Sequence, residues 1–307
     1  MKLTLPAQMR VLERGWLSSN NILFLEGERA TLVDSGYLSH AAQTLELVRQ
    51  ALDGRKLAGI VNTHTHSDHI GGNATLQREF GCDITVPAGI ADVIARWDED
   101  ALMLVPSGQR CERFSHTATL SHGQEFELGG LVWRALHAPG HDMEALVFYC
   151  ESRRILISGD ALWRDGFGIQ FAEIAGKVAG LAATRATLEA IGRLAVDRVI
   201  PGHGAPFAEF DDAMERAMRR VAAFEEDPLR MVRNALKALL TFNLLELRRM
   251  RRDQLAEYLC GIPFFADVNS RILNQSAETL AEWLVTELTR AGVVELRDDY
   301  IVPTQTP

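Results

Sequence analysis

The chain has 307 residues, of which 24% are charged and 47% are hydrophobic, and its formal net charge is -9. These proportions are ordinary for a globular protein, and no apolar run is long enough to cross a bilayer. The acidic balance disfavours general attraction to nucleic acid, because contacts of Lys and Arg to phosphates dominate such binding.

The first third of the chain alternates predicted strands and helices, which is typical of the α/β class. The N-terminus lacks an apolar segment followed by small residues, so we expect a cytoplasmic protein. Four scattered cysteines argue against a disulfide framework and against a thiolate zinc site. In chain order, the predicted elements are a hairpin of strands at 21–26 and 30–33 around Gly27, a helix at 39–52, a strand at 57–62, a helix at 74–80 and a strand at 82–86.

The sequence HTHSDH at residues 64–69 places three imidazoles and a carboxylate between a predicted strand and a predicted helix. Neutral imidazoles and carboxylates are good ligands for divalent cations such as zinc. In an extended segment, alternate side chains point the same way, so His64 and His66 can bind one ion together. Asp68 and His69 lie past the bend, where a second ion is the more natural partner. The run resembles the HxHxDH motif of the metallo-beta-lactamase superfamily of hydrolases.

Three further turns follow predicted strands in the order that this resemblance requires: PGH at 139–141, SGD at 158–160 and PGHG at 201–204. Each is a common turn by itself, and their order after the hexapeptide is what favours a site. The resemblance implies that His64, His66 and His141 bind one metal ion, that Asp68, His69 and His203 bind a second, and that Asp160 bridges the two ions. It also implies a four-layer αβ/βα sandwich.

Several residues near these turns have two interpretations. Residues 88–122 look like an insertion, in which Trp97, Met103 and Leu104 form either part of a lid or an ordinary satellite core. Arg164 either holds a substrate carboxylate or pairs at the surface with Asp165 or Glu173. Some of the aromatic residues after Asp160 are expected to face the metals, whereas His137 is expected to pack or to support the ligands. These aromatic residues are Trp163, Phe167 and Phe171.

The last third is predicted to be helical, and it ends in a hairpin that turns at residues 298–299. We therefore expect a catalytic domain over 1–210 and a helical domain over 211–307 that resembles a winged helix. The basic run at 248–252 suggests nucleic-acid binding, but residues 211–307 hold 13 Lys and Arg against 16 Asp and Glu. We expect this region to pack on the catalytic domain or to form a homodimer surface instead. The predicted helices are 213–224, 228–247, 252–259 and 277–291.

The resemblance implies a binuclear metal-dependent hydrolase that uses a metal-bridging hydroxide. Zinc is the first choice of metal because most ligands are imidazoles, and iron and manganese are alternatives. Asp68 is the candidate catalytic residue, since it can orient the hydroxide or pass a proton to the leaving group. The candidates to support the ligands by hydrogen bonds are Asp34, Thr63 and Thr65.

The predicted substrate is a small ester, thioester or lactone. Two alternatives remain open at this point. The first is a phosphodiesterase or nuclease that holds nucleic acid with the C-terminal region. The second is a non-catalytic binding protein that retains the fold.

Overall fold

The computed structural model of the chain describes residues 4–176 and 179–305. Its first sheet has six strands in chain order, antiparallel from the first to the third strand and parallel from the third to the sixth. The strands are β1 (Met9–Leu12), β2 (Asn21–Glu26), β3 (Arg29–Val33), β4 (Lys56–Val61), β5 (Asp83–Pro87) and β6 (Ala118–Leu120). The predicted hairpin and the next two predicted strands are thus present.

A second sheet of five strands has the order β11-β10-β9-β8-β7, and only its β10 and β11 run parallel. These strands are β7 (Glu125–Leu128), β8 (Leu131–His137), β9 (Leu146–Cys150), β10 (Ile155–Gly159) and β11 (Arg198–Pro201). Every predicted ligand turn therefore follows the end of a strand.

Successive side chains of a strand point to opposite faces of its sheet, and here both faces carry apolar residues. One face of each sheet packs against the other sheet, and the opposite face packs against helices. On β2, Ile22 and Phe24 join a core between the sheets with Trp133 of β8, whereas Leu23 joins a core under the first group of helices. Helices of the second group cover the other sheet. The expected four-layer αβ/βα sandwich is confirmed. The first group is α1 (Ala41–Leu52), α2 (Ser67–Ile70), α3 (Asn73–Phe80), α4 (Ala91–Arg96) and α5 (Leu104–Ser107), and the second is α6 (Phe171–Ile174), α7 (Gly180–Ile191) and α8 (Phe210–Glu226).

The C-terminal part is helical, as predicted, and it contains a three-stranded sheet of order β12-β14-β13, in which β12 follows the first long helix and the other two strands follow the last helix. The long helix begins at Pro228, and the Asp227 side chain caps it by accepting a hydrogen bond from the Arg230 backbone N–H. The winged-helix likeness and the domain boundary at residue 210 stay predictions. The elements are α9 (Pro228–Leu247), β12 (Met250–Arg251), α10 (Leu255–Gly261), α11 (Pro263–Val268), α12 (Ala277–Arg290), β13 (Val294–Arg297) and β14 (Tyr300–Pro303).

None of the helices within residues 4–176 and 179–305 combines the length and the apolar character that crossing a membrane requires.

A buried hydroxyl group ties α9 to the first sheet. Tyr37, in the loop after β3, is fully buried and donates a hydrogen bond of 2.6 Å to Glu246 near the end of α9. Arg110 pairs with the same carboxylate at 2.5 Å. Leu17 and Leu245 pack with the Tyr37 ring. These contacts hold the C-terminal end of α9 over the loops at the end of β3 and β4.

Replacing Tyr37 by Phe is expected to lower the free energy of unfolding by about 1–2 kcal/mol, because a buried hydrogen bond to a charged group is lost. Urea denaturation with an unchanged slope would measure this loss. The control is Tyr300→Phe, since Tyr300 is partly exposed and a phenylalanine keeps its ring under Arg249. Equal stability of the two variants would contradict the assigned contact.

Candidate metal centre

The loop after β4 turns sharply and delivers its four polar side chains to one place. It leaves the strand at Val61 and enters α2 at Ser67, and the His69 backbone carbonyl accepts a hydrogen bond from the Ser35 backbone N–H at 2.7 Å. His64, Asp68 and His69 are buried. Because the neighbouring loop after β3 holds this bend through Ser35, the hexapeptide has little freedom to rearrange.

The structure brings His64, His66 and His141 into one group, whose ring nitrogens lie within 4.8 Å of one another. His66 Nδ1 is 2.7 Å from His141 Nε2. His141 Nδ1 lies 2.6 Å from the Ile169 carbonyl oxygen, to which it donates, so Nε2 is left as the acceptor. These three imidazoles are the ones that the sequence analysis assigned to the first ion.

A second group contains Asp68, His69, Asp160 and His203, all of them buried. His203 Nε2 lies 2.9 Å from Asp68 Oδ2, and His69 Nε2 lies 3.4 Å from Asp160 Oδ1. The other oxygen of Asp160, Oδ2, is 3.5 Å from His141 Nε2 in the first group. The Asp160 carboxylate therefore lies between the two groups, where the sequence analysis expected a bridging ligand.

The absence of a side chain at Gly202 allows Asp160 and His69 to come this close together. A Cβ atom there would overlap the Asp160 carboxylate and would approach the His69 ring to 2.9 Å. Any larger residue would have to push these side chains apart. A glycine is thus required before His203, because the centre has no space for a larger residue at this position. The PGH turn therefore has a packing role as well as a turn geometry.

Two of the predicted supporting residues make the expected contacts. The Asp34 carboxylate lies 2.8 Å from His69 Nδ1 and accepts a hydrogen bond of 2.7 Å from Thr63 Oγ1. Since that hydroxyl hydrogen is used, Thr63 Oγ1 accepts from His64 Nδ1 at 3.1 Å. Both imidazoles then present Nε2 to the centre. Thr65 is buried nearby but makes neither bond.

Two imidazoles of the first group, those of His64 and His66, favour the neutral form that binds metals. Burial lowers the pKa of His64 well below its ordinary value, and the neighbouring His69 adds to this effect. Burial, and then the proximity of His141, lower the pKa of His66 to about 4. Near neutral pH these rings therefore keep a lone pair available for a cation.

In the second group, the pKa of an imidazole is raised and the pKa of a carboxylate is lowered. Burial alone would lower the pKa of His69, but the carboxylates of Asp34, Asp160 and Asp68 outweigh it and raise this pKa well above the ordinary value. Burial would raise the pKa of Asp160, yet the imidazoles of His203 and His69 hold it well below its usual range. The centre thus favours ionised carboxylates together with a positive charge among them.

The donor set fits divalent metal ions. Within the described chain, three buried imidazole nitrogens have no hydrogen-bond partner: His64 Nε2, His69 Nε2 and His203 Nδ1. Two of the three face the centre, and buried nitrogens without partners are costly unless another group satisfies them. Imidazole and carboxylate donors in two groups of three and four match the preference of zinc and related ions.

A cavity of about 370 Å³ opens onto the centre. The chain before α8 contributes three aromatic residues. Trp16 stacks on His203 at 5.3 Å, Trp163 donates a hydrogen bond of 3.1 Å to Asp160, and Phe171 lies 5.5 Å from the His66 ring. The C-terminal part supplies the opposite wall. Its apolar lining residues are Ala238, Leu239, Phe242, Leu245 and Val293.

The structure resolves the open interpretations around the site. Trp163 and Phe171 face the cavity as expected, but Phe167 is buried elsewhere against Phe224. The lid hypothesis is wrong, because Trp97 packs on Phe114 and Leu104 belongs to the core of the first helical group, while Met103 packs against the other core.

Two further expectations about single side chains are also corrected. Arg164 points away from the cavity and pairs with Glu209 at 3.5 Å, which is neither of the partners considered. His137 is exposed and its Nε2 contacts the Met143 carbonyl oxygen at 2.9 Å, so it does not support the ligands. Both lie at strand or loop positions whose direction the sequence leaves open.

Sequence analysis missed Trp16, Gln109 and the wall formed by α9. Trp16 lies in a loop without a motif, and Gln109 is the one residue of the insertion that reaches the described cavity. The apolar residues of α9 have the spacing of the core-facing side of an ordinary helix, so their pattern predicts burial and not a cavity wall. Their second role becomes visible only when the helix is placed over the centre.

The metallo-beta-lactamase superfamily model matches residues 14–203, and the chain therefore belongs to this superfamily. This matched region contains all seven side chains of the two groups.

Curated relatives at the sequence level are hydroxyacylglutathione hydrolases. The protein from Methylococcus capsulatus is 33% identical over 126 residues, which is 40% of this chain and 42% of that protein. The one from Nitrobacter winogradskyi is 30% identical over 132 residues, or 42% of this chain and 44% of that protein. The chain thus matches less than half the length of these relatives.

Solved structures show the same fold. A metallo-beta-lactamase family protein from Thermus thermophilus has a TM-score of 0.57 and 20% identity, covering 98% of this chain and all of that one. A metallo-beta-lactamase from Cronobacter sakazakii has a TM-score of 0.57 and 18% identity, covering 72% of this chain and 95% of that one. The first match extends over the C-terminal helices as well.

Replacing Asp34 by Asn is expected to weaken zinc binding about 10- to 100-fold, because the carboxylate that orients His69 and Thr63 is lost. Competition with a chromophoric chelator would measure the dissociation constant. Asp212→Asn is the control, since it removes the same charge from an exposed position at the start of α8. Zinc affinity equal to that of the control would refute this role of Asp34.

Proposed function

We propose that this protein is a binuclear metal-dependent hydrolase that cleaves a small ester, thioester or lactone. The observation that carries the proposal is the convergence of seven side chains, in groups of three and four, at the floor of an apolar cavity. Hydrolase names among its relatives, and its membership of the superfamily, support the same class of reaction.

In this proposal, His64, His66 and His141 hold one ion, and Asp68, His69 and His203 hold the other. Asp160 would serve both ions, because its carboxylate lies near imidazoles of both groups. Zinc is the first candidate, with iron and manganese as alternatives. Lewis acidity toward water and toward a carbonyl oxygen is the chemistry that such ions supply.

The protein's own groups perform the remaining tasks. Asp68 lines the cavity beside His203, with 2.9 Å between its Oδ2 and His203 Nε2, and we assign its carboxylate to accept a proton from the attacking water. It can then return the proton to the leaving sulfur or oxygen. The indole N–H of Trp163 holds Asp160 in place, and the aromatic wall excludes water from the reacting bond.

The lining of the cavity favours an acyl substrate with an apolar group. Among the described residues that line it, none is a lysine or an arginine, and the polar ones outside the centre are Gln109, Thr241 and Gln305. A phosphodiester would place its charge in this apolar space with only the ions to compensate it. The ester or thioester carbonyl needs no further cation.

Two other functions compete with this proposal. A phosphodiesterase would need cations beside the scissile phosphate, which the described cavity lining does not offer. A binding protein without activity would have no use for the carboxylate of Asp68 between a ligand imidazole and the cavity. Metal analysis and a substrate panel separate these functions from hydrolysis of an acyl bond.

The purified protein is expected to contain about two divalent ions per chain and to hydrolyse members of a panel of thioesters, esters and lactones faster than bis(p-nitrophenyl) phosphate. The panel includes a hydroxyacylglutathione. Asp68→Asn should lower kcat by about 10²- to 10⁴-fold, because a proton-transfer group is removed. Exposed Asp212→Asn serves again as the control. Full activity of the Asp68 variant, or phosphodiester cleavage as the main activity, would disprove the proposal.

Narrowing the cavity should change the preference for acyl chain length. Ala238 lies on the α9 wall, and Ala238→Leu fills space that a long acyl chain would occupy. We expect kcat/KM for an octanoyl thioester to fall about tenfold relative to an acetyl thioester, since each buried methylene contributes about 0.8 kcal/mol. An unchanged ratio of the two kcat/KM values would show that the acyl group binds elsewhere.

A further inference from the structure

A second cavity, of about 660 Å³, lies between α8, α9 and α12, and we call it the basic cleft. It is separate from the metal centre, and no step of the proposed reaction uses it. Five cations, two aromatic residues and one amide line it together with two acids. The cations are Arg219, Arg220, Arg230, Arg233 and Lys237, and the aromatic residues are Phe224 and Trp283.

The positive charge of the cleft is unusual for a chain with a net charge of -9. Its two acidic residues and Glu215, which pairs with Arg219, offset only part of this charge. Asp227 caps α9 through the backbone N–H of Arg230, and Glu287 pairs with Lys237 at 3.5 Å and with Arg290 at 2.8 Å. Within the described chain, no carboxylate pairs with the guanidinium groups of Arg220, Arg230 or Arg233. The cleft therefore has cations to spare for an anionic ligand.

Arg220 gives the cleft a rigid base. Its guanidinium lies 5.4 Å from the centres of both the Phe167 and Phe224 rings, and it donates a long hydrogen bond of 3.4 Å to the Asp165 carbonyl oxygen. Burial, and then the nearby Arg230, lower its pKa. A half-buried guanidinium held between rings and lacking a carboxylate is a good donor for phosphate.

The basic cleft and the substrate cavity share the same helix. Arg230 and Lys237 of α9 line the cleft, whereas Thr241 and Leu245, further along the same face, line the cavity. At 1.5 Å per residue, about 16 Å separates Arg230 from Thr241 along the helix axis. A ligand that follows α9 from the cleft reaches the metal centre.

Two other segments also run from the cleft to the cavity. On α12, Trp283 and Glu287 line the cleft, and Val293 just beyond the helix lines the cavity. Trp163 at the cavity pairs with Gly166 through a backbone bridge, and Arg220 packs against Gly166 so closely that a Cβ there would lie 2.6 Å from its Nη1. The two spaces are therefore neighbours on one side of the molecule.

We infer that the basic cleft binds the phosphate-bearing end of the substrate, and that the substrate is an acyl thioester of a phosphorylated carrier thiol of the coenzyme A type. Trp283 offers a ring on which a nucleobase can stack, and Arg220, Arg230 and Arg233, which pair with no described carboxylate, are available to its phosphates. A flexible arm along α9 would then bring the thioester into the apolar cavity. This inference rests on the proposed hydrolase function.

The reaction is balanced without any further reactant. The oxygen of one water molecule forms a bond to the acyl carbon, the C–S bond breaks, and the sulfur takes up a proton. The products are a carboxylic acid and the free carrier thiol. The charged carrier end stays in the cleft and takes no part in bond breaking, so its removal should lower kcat/KM without changing which bonds form and break.

The test compares two substrates with the same acyl group: hexanoyl-coenzyme A and the hexanoyl thioester of N-acetylcysteamine, which lacks all phosphates. The double variant Arg230→Gln/Arg233→Gln changes exposed side chains at the cleft and leaves Arg220 in place. We expect its kcat/KM for the coenzyme A thioester to fall about tenfold or more through KM, because charge-assisted bonds are lost. For the truncated thioester we expect less than about a twofold change.

The matched control is Arg153→Gln/Arg193→Gln, which removes the same charge from two exposed positions outside the cleft. Its kcat/KM for each of the two substrates should equal that of the unmodified protein. Calorimetry with desulfo-coenzyme A, which carries no thiol that could bind a metal, on the protein as purified gives a readout that does not need turnover. Binding should be lost in the cleft variant, retained in the control and weakened by salt.

The outcomes separate this inference from the proposed function. Hydrolysis of both thioesters with no difference between the cleft variant and the control would overturn the inference alone. Hydrolysis of neither thioester would overturn the inference together with thioester cleavage. Tighter binding of a single-stranded oligonucleotide than of desulfo-coenzyme A, abolished by the same two substitutions, would show that the cleft serves nucleic acid and would also overturn it.

Discussion

The burial of the Asp160 carboxylate between two groups of imidazoles is the constraint on which the structure depends. An isolated buried carboxylate is costly, and here neighbouring rings offset that cost by holding the pKa of Asp160 well below its usual range. The arrangement exists only when four loops meet, and these loops belong to both sheets. The centre can therefore form only where the two sheets are stacked, and at Gly202 the packing leaves no room for a side chain.

Helix α9 links the centre to the rest of the chain. Its C-terminal half closes the cavity and is held by the Tyr37 hydroxyl and Arg110, while its N-terminal half supplies three cations of the basic cleft. Apolar and charged residues on one helix thus line two separate cavities. This division fits the proposed substrate, which has an apolar acyl group at one end and a charged carrier at the other. In that proposal the C-terminal part contributes to substrate recognition.

Local signals in the sequence were enough for several elements. The helix at 228–247 was predicted with the bounds that the structure has, because Asp227 and Pro228 mark its start and an amphipathic pattern runs to Leu247. The hairpin turning at 298–299 was also found. In contrast, α11 was missed because its six residues are too few to show a period, and β12 was missed because two residues carry no alternation.

The sequence by itself determined the class of the fold and the identity of the seven candidate ligands, since their types, spacing and order along the chain carry that information. The tertiary structure alone decided which other residues meet them. Trp16, the α9 wall and the basic cleft come from segments distant in the chain, and Arg164 and Phe167 turn away from the centre although they follow Asp160 closely. Periodicity and spacing describe neighbours along one element, whereas a cavity is defined by distances between elements.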